Sequence, residues 1–143
     1  MKKVFFVLAI ILSSSSFATP PVDENVSSSF TQAFPHINNA KWYEYENSYE
    51  VYFTSNDVVC RLTYDTKGNI LSLRRDYYEK DLPLYILLKL KDRYKGKKIF
   101  GVTEISSGEG VSYTIVLEDD KHWTTVKADA NGTMSRTKKL RKA

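Results

Sequence analysis

The sequence predicts an α+β fold in which two tandem α-β-β-β-β repeats form an antiparallel sheet with both helices packed on one face. Three observations predict it. A helical apolar stripe occurs twice, each stripe is followed by segments that alternate apolar and polar residues, and each of these stretches contains an Asp-x-x-Gly turn. One such unit could hardly cover its own sheet, whereas two units side by side can do so.

The helical stripe lies in residues 22–34 and again in residues 82–94. The apolar positions of the first copy fall at i, i+4, i+8, i+11 and i+12, and those of the second at i, i+4, i+8 and i+12, which places each set on one side of a helix. They are Val22, Val26, Phe30, Ala33 and Phe34 in the first copy, and Leu82, Ile86, Leu90 and Tyr94 in the second. Proline near each start, with Pro35 and Gly96 after the two ends, is typical of helix boundaries.

Period-two patterning after each helix predicts four strands per copy. Repeat one covers residues 20–77 and repeat two residues 78–138, and a basic tail covers residues 136–143. The numbering offset between the copies grows from 60 at the helices to 64 at the later strands, because the first hairpin is longer in the second copy. The third hairpin of each copy holds the Asp-x-x-Gly turn, where Gly68 and Gly132 supply a positive φ.

Alternation also assigns the two faces of the predicted sheet. The face under the helices takes Tyr49, Val51, Phe53, Leu62, Tyr64, Tyr113, Ile115, Leu117, Val126 and Ala128. The other face, here named the open face, takes Glu50, Tyr52, Thr54, Val59, Arg61, Thr63, Thr114, Val116, Trp123, Thr125 and Lys127. In the first strand Trp42 competes with Tyr43 and Tyr45 for the inward side. We expect Trp42 inward and both tyrosines outward.

The predicted open face mixes aromatic rings with charges, which has two interpretations. Such side chains can simply stabilise cross-strand pairs, by about 0.2–1 kcal/mol each. They can also form a recognition surface, because Tyr, Trp and Arg are enriched where proteins bind other proteins. We expect a surface that binds a protein or peptide, with its contacts made by Tyr43, Tyr45, Tyr52, Arg61, Trp123 and Lys127.

The N-terminus has the layout of a secretory signal peptide. Two lysines precede an apolar run at residues 4–12, and a small-x-small site ends at Ala18. The run is shorter than the about 20 apolar residues that a bilayer requires. We therefore expect a signal peptide at residues 1–18, cleavage after Ala18, and a periplasmic or secreted product.

Candidate catalytic and metal-binding groups are few. Cys60 is the only cysteine, which excludes an internal disulfide, and we expect it to be a small buried strand residue. A nucleophilic pair of Cys60 with His122 is the one conceivable alternative, but nothing else for a triad is visible. Asp65 and Asp129 fit plain hairpin turns better than calcium loops. We expect a non-enzymatic protein without a cofactor or a bound metal.

The formal net charge is +4, and removal of the signal peptide leaves +2. Five basic residues lie in the tail: Arg136, Lys138, Lys139, Arg141 and Lys142. The rest of the mature chain is mildly acidic, which argues against nucleic-acid binding. We expect the tail to be a frayed end. The alternative is an envelope-associated structural or stress-related protein whose tail contacts an anionic surface.

Residues 22–138 resemble the beta-lactamase-inhibitor-like, PepSY-like secreted domains. The resemblance rests on the order and spacing of "SFTQAFPHINNAKW", "SYEVYF", "YDTKGNIL" and "DLPLYILLKLKDRY". It implies a tandem helix-on-sheet protein outside the cytoplasm whose sheet holds a protein or peptide, with restraint of a secreted hydrolase as one such role. The namesake inhibitor carries disulfides that a chain with one cysteine cannot form, so its target is not carried over.

Overall fold

The computed structural model describes residues 22–143, so the predicted signal peptide lies outside the described residues. The helices are α1 (Glu24–Ala33) and α2 (Leu84–Arg93). The strands are β1 (Lys41–Tyr45), β2 (Ser48–Ser55), β3 (Val58–Asp65), β4 (Ile70–Tyr77), β5 (Lys98–Ser107), β6 (Gly110–Glu118), β7 (His122–Asp129) and β8 (Met134–Arg141). They form one antiparallel sheet in sequence order, which confirms the predicted fold class.

Each helix buries the middle of its predicted stripe. Val26 and Phe30 of α1, and Ile86 and Leu90 of α2, are fully covered. Ala33 is exposed, contrary to prediction, because α1 ends there and Phe34 takes the inward position.

Aromatic rings join α1 to the sheet. Phe30 lies at the centre, with ring centroids 5.2 Å from Phe34, 5.4 Å from Trp42 and 5.3 Å from Phe53. Trp42 therefore points towards the helix, as predicted, and this leaves its neighbours on β1 on the open face. Trp42 and Phe53 meet the Phe30 ring edge to face, a geometry that adds to the stabilisation from burial.

The first hairpin of the second copy is longer because its two strands, β5 and β6, form more residue pairs before the turn. The β1–β2 pairing ends at Tyr45 opposite Ser48, and its equivalent in β5–β6 is Ile105 opposite Ser112. From that point β5 and β6 continue for two more pairs before they turn. Those pairs account for the growth of the numbering offset between the copies from 60 to 64.

The two Asp-x-x-Gly turns are hairpin turns that also contact the helices. In each turn the aspartate accepts backbone N–H bonds, at 2.9 Å for Asp65 and 2.8–2.9 Å for Asp129. Gly68 lies against α1, and Gly132 lies against Tyr85 and Lys89 of α2. The turns therefore close each repeat against its own helix.

Gly132→Ala should destabilise the protein more than Gly96→Ala. Both glycines have positive φ, 73° and 77°, which costs an L-residue about 1–2 kcal/mol. At Gly132 a Cβ would also lie 2.8 Å from the Tyr85 hydroxyl, whereas at Gly96 it meets nothing within 4 Å. We expect a further loss of about 1 kcal/mol at Gly132, measured by urea unfolding. Equal losses for the two variants would contradict a packed turn.

The basic tail is part of the sheet. Strand β8 continues through Arg141, and Lys142 then forms an ion pair of 2.9 Å with Glu118. The expectation of a frayed end is therefore wrong. Alternation did not reveal the full strand because an edge strand can carry charged residues on both of its faces.

Candidate binding face

The structure places all six predicted binding residues on the open face, but in separate groups. Tyr43, Tyr45, Tyr52 and Arg61 lie together on β1, β2 and β3, and Trp123 and Lys127 lie on β7. Lys127 is exposed and lies apart from Trp123, between Thr114 of β6 and Ser135 of β8.

The first group forms a tyrosine cluster, which consists of Tyr43, Tyr45, Glu50, Tyr52 and Arg61. The Tyr43 and Tyr52 rings meet edge to face at 5.1 Å, and the Arg61 guanidinium lies 4.6 Å from the centre of the Tyr52 ring. Glu50 accepts hydrogen bonds from the hydroxyls of Tyr52 at 2.9 Å and Tyr45 at 3.4 Å. Burial and the bond to Glu50 raise the pKa of Tyr52, so its hydroxyl stays a donor.

The Tyr43 and Tyr45 rings remain accessible within this cluster. Their side chains are 47% and 52% exposed, although Tyr52 supports one and Glu50 binds the other. A ring that is both held in place and exposed can bind a partner with little further loss of side-chain entropy.

A second group, the tryptophan cluster, consists of Phe100, Glu118, Trp123 and Lys142. The Phe100 and Trp123 rings meet edge to face at 4.7 Å, and the Lys142 ammonium lies 4.5 Å from the centre of the Trp123 ring. The ion pair with Glu118 holds that ammonium in place. One tail residue therefore belongs to the open face.

Phe100 was missed because β5 contains a bulge. Strict alternation places Phe100 on the same side as Val102, which is buried under the helices. The register shifts between Ile99 and Gly101, so Phe100 is an extra residue and lies on the open face, 54% exposed. Gly101 next to it is the one available signal, since a glycine inside a strand often marks a bulge.

A cleft of about 420 Å³ lies on the open face, where repeat one meets repeat two. Its lining includes Asp57, Val59, Asp76, Tyr78, Phe100, Thr103, Thr114 and Val116. Val59, Tyr78 and Phe100 are 50%, 65% and 54% exposed. Accessible apolar side chains within a recess are typical of a binding site rather than of a wet sheet face.

An ionic network borders the cleft. Arg74 donates to Asp76 at 2.8 and 3.0 Å, and the Thr103 hydroxyl donates to the same carboxylate at 2.5 Å. Burial alone would raise the pKa of Asp76, but these hydrogen bonds outweigh it and lower the pKa below the usual value. Asp76 is therefore an anion whose hydrogen-bonding capacity is largely used within the protein.

The arrangement gives no support to a Cys60–His122 pair. Cys60 lies on β3 and His122 begins β7, and these strands are four strand spacings apart, or about 19 Å. Burial raises the pKa of the Cys60 thiol, which disfavours the reactive thiolate. Among residues 22–143 no cluster of three His, Cys, Asp or Glu side chains is arranged to hold a metal ion.

This architecture is a BLIP-like fold: two tandem helix-and-meander units share one sheet, with both helices on the same face. The predicted resemblance to beta-lactamase-inhibitor-like proteins is confirmed at the level of the fold.

Several solved structures, among them the following three, are similar to this chain in fold. A BLIP-like protein from Bacteroides fragilis has a TM-score of 0.65 and 12% identity, covering 86% of this chain and 89% of its own. A candidate periplasmic protein from Bacteroides eggerthii has a TM-score of 0.62 and 11% identity, and the match covers 85% of this chain and 89% of that protein. A DUF2874 family protein from Bacteroides ovatus has a TM-score of 0.63 and 16% identity, and the match covers 85% of this chain and 88% of that protein.

No family model and no curated protein matches the chain. At such low identity the structural likeness shows the fold alone. In residues 22–143 no helix is long and apolar enough to cross a membrane.

Proposed function

We propose that the protein is a periplasmic or secreted, non-enzymatic binding protein that holds a protein or peptide on the open face. One observation carries the proposal: the open face has an apolar cleft, and aromatic side chains that remain accessible lie beside it. If this face of the sheet only contacted water, the outward-pointing residues of its strands would be mostly polar.

The two aromatic clusters suit a partner that spans the sheet. Tyr52 lies on β2 and Trp123 on β7, which are five strand spacings apart, or about 24 Å. A contact patch of that width is the size of an ordinary protein–protein interface. The clusters therefore support a folded partner, or a long loop of one, better than a small ligand.

The cleft suits an apolar side chain of that partner. Val59, Phe100 and Val116 supply apolar contacts, and Thr103 and Thr114 lie between them on the sheet. A protruding loop inserted in this way is one means of covering a hydrolase, and an inhibitor-like role towards a secreted hydrolase is our specific form of the proposal. The fold of the BLIP-like neighbour is compatible with it.

The alternative is contact with an anionic envelope surface through the basic tail. Arg136, Lys138, Lys139 and Arg141 are exposed, which favours it. The strand, however, directs Lys138 to the open face and the other three to the helix side, as their partners on β7 require. A flat anionic surface would meet only part of this charge, so we rank the tail second.

The proposal is tested by capture of a partner from periplasmic extract on the immobilised mature protein. The double variant Tyr78→Ala/Phe100→Ala should reduce capture at least tenfold, since exposed aromatic anchors dominate such interfaces. The matched control is Leu84→Ala/Leu88→Ala on α2, where the side chains are 68% and 60% exposed and lie away from the open face. The control should capture normally.

Equal capture by both double variants would refute binding on the open face. Loss of capture in Lys139→Glu/Arg141→Glu alone would favour the tail instead. Far-UV circular dichroism of each variant checks that the fold is kept.

A further inference from the structure

We propose that copies of this chain associate edge to edge, with β8 of one copy paired antiparallel to β1 of the next. This inference is independent of the open-face function. It follows from the internal repeat, because the chain already contains one junction of the same kind. There β4, the last strand of repeat one, pairs with β5, the first strand of repeat two.

The direction of the strands permits a further junction. Eight antiparallel strands in sequence order leave β1 and β8 at the two edges of the described sheet, running in opposite directions. A second copy placed beside β8 with its helices on the same side therefore offers its β1 antiparallel. The combined sheet then continues without a change of pattern.

Strand β1 is the equivalent of β5, position by position. Trp42 lies opposite Val51, and Val102 lies opposite Ile115, which is the counterpart of Val51 in the second copy. The same comparison makes Glu44 the equivalent of Glu104.

Strand β8 is likewise the equivalent of β4. Cys60 lies opposite Arg75, and its counterpart in the second copy, Thr124, lies opposite Lys139. Lys139 is therefore the equivalent of Arg75.

These equivalences fix a register for the contact between copies. Inside the chain the junction pairs Arg74 with Ile105, Arg75 with Glu104, Asp76 with Thr103, and Tyr77 with Val102. Between copies it would pair Lys138 with Tyr45, Lys139 with Glu44, Leu140 with Tyr43, and Arg141 with Trp42.

The register reproduces the charge pair at the internal junction. Arg75 and Glu104 form an ion pair at 3.2 Å. Lys139 and Glu44 take the same two positions with the same signs. Both are exposed, and neither has an ion-pair partner within residues 22–143. The junction would supply the missing partner for each.

On the open face, the proposed junction brings two apolar side chains together. Leu140 and Tyr43 are 48% and 47% exposed at the two edges, and they become a cross-strand pair. They replace the hydrogen-bonded pair of Asp76 and Thr103 at the internal junction. Aliphatic–aromatic pairs of this kind stabilise antiparallel strands.

The charge of the two repeats also favours a head-to-tail contact, because repeat one is acidic and repeat two is basic. Residues 22–77 carry five basic and eight acidic side chains, whereas residues 78–143 carry fourteen basic and nine acidic. A head-to-tail contact brings the basic half of one copy to the acidic half of the next. Pairing of β8 with β8 would instead oppose lysines and arginines, which is how basic edges prevent symmetric association.

The test is sedimentation velocity of the mature protein over a range of concentrations at low salt. The edge is short, so we expect weak association that grows with concentration. Glu44→Lys or Lys139→Glu should each weaken it about five- to tenfold, because like charges then face each other. The double variant Glu44→Lys/Lys139→Glu should restore it. Matched controls are Glu109→Lys and Lys67→Glu, which change the same charges in turns away from both edges.

A second measurement tests the register. One preparation carries Tyr43→Cys and another carries Leu140→Cys. Their mixture should form disulfide-linked dimers under mild oxidation, and neither preparation alone should do so.

Monomer at every concentration up to the millimolar range would overturn the proposal. Association that both charge reversals leave unchanged, or that the double variant fails to restore, would overturn it too. Cross-linking of Leu140→Cys with itself would show β8–β8 pairing instead and would exclude this junction.

Discussion

Phe30→Ala should lower the free energy of unfolding by about 3–5 kcal/mol, the range for removing a buried aromatic ring. Phe30 is 4% exposed and contacts the rings of Phe34, Trp42 and Phe53. Alanine leaves a cavity bordered by three large rings, which cannot close without moving α1. Urea unfolding followed by tryptophan fluorescence measures the loss.

Leu88→Ala is the control for this prediction. Leu88 is on α2 and is 60% exposed, so its truncation should change stability by less than about 0.5 kcal/mol. A loss below about 1.5 kcal/mol for Phe30→Ala would show that the aromatic cluster does not join α1 to the sheet.

Glu104→Ala should cost about 2–4 kcal/mol, because it removes the acceptor from two donors at once. The Tyr77 hydroxyl donates to Glu104 at 2.5 Å and Arg75 donates at 3.2 Å. Tyr77 is 4% exposed, so its hydroxyl would be left buried without a partner. Burial, together with the bond to Glu104, raises the pKa of Tyr77, which keeps that hydroxyl protonated.

A double-mutant cycle separates the lost bond from the lost volume. In Glu104→Ala/Tyr77→Phe the unpaired hydroxyl is absent, so we expect the double variant to be about 1 kcal/mol more stable than the sum of the single losses predicts. Strict additivity of the free energies of unfolding would contradict a direct interaction between the two side chains.

The sequence predicted those parts of the fold that depend on regular periodicity. The helix stripe placed Val26 and Phe30 in the core, and alternation along β2 placed Val51 and Phe53 there. These residues lie in uninterrupted elements, where a period of 3.6 or 2 assigns every side chain.

Prediction failed where one extra residue changed the period. Strict alternation through β5 would put Phe100 on the helix side with Val102, but the bulge puts it on the open face, where it completes the tryptophan cluster. A single inserted residue reverses the side of those beyond it, and alternation alone cannot locate it.

Contacts between side chains on different strands could not be predicted from the sequence either. The cleft depends on β3, β4, β5 and β6 lying next to one another, and no local pattern reports which side chains face a common recess. The six predicted binding residues lie on the expected face, yet their role in binding stays a prediction.

Strand order that follows sequence order has a consequence for how the chain acquires its structure. Every strand pairs with the strand before it, and only the β4–β5 connection, which contains α2, is long. Strands that are neighbours in sequence pair across short loops, so little loop entropy is lost before each of those pairings forms. A chain synthesised from its N-terminus can therefore add one strand at a time to a growing sheet, without waiting for its C-terminus.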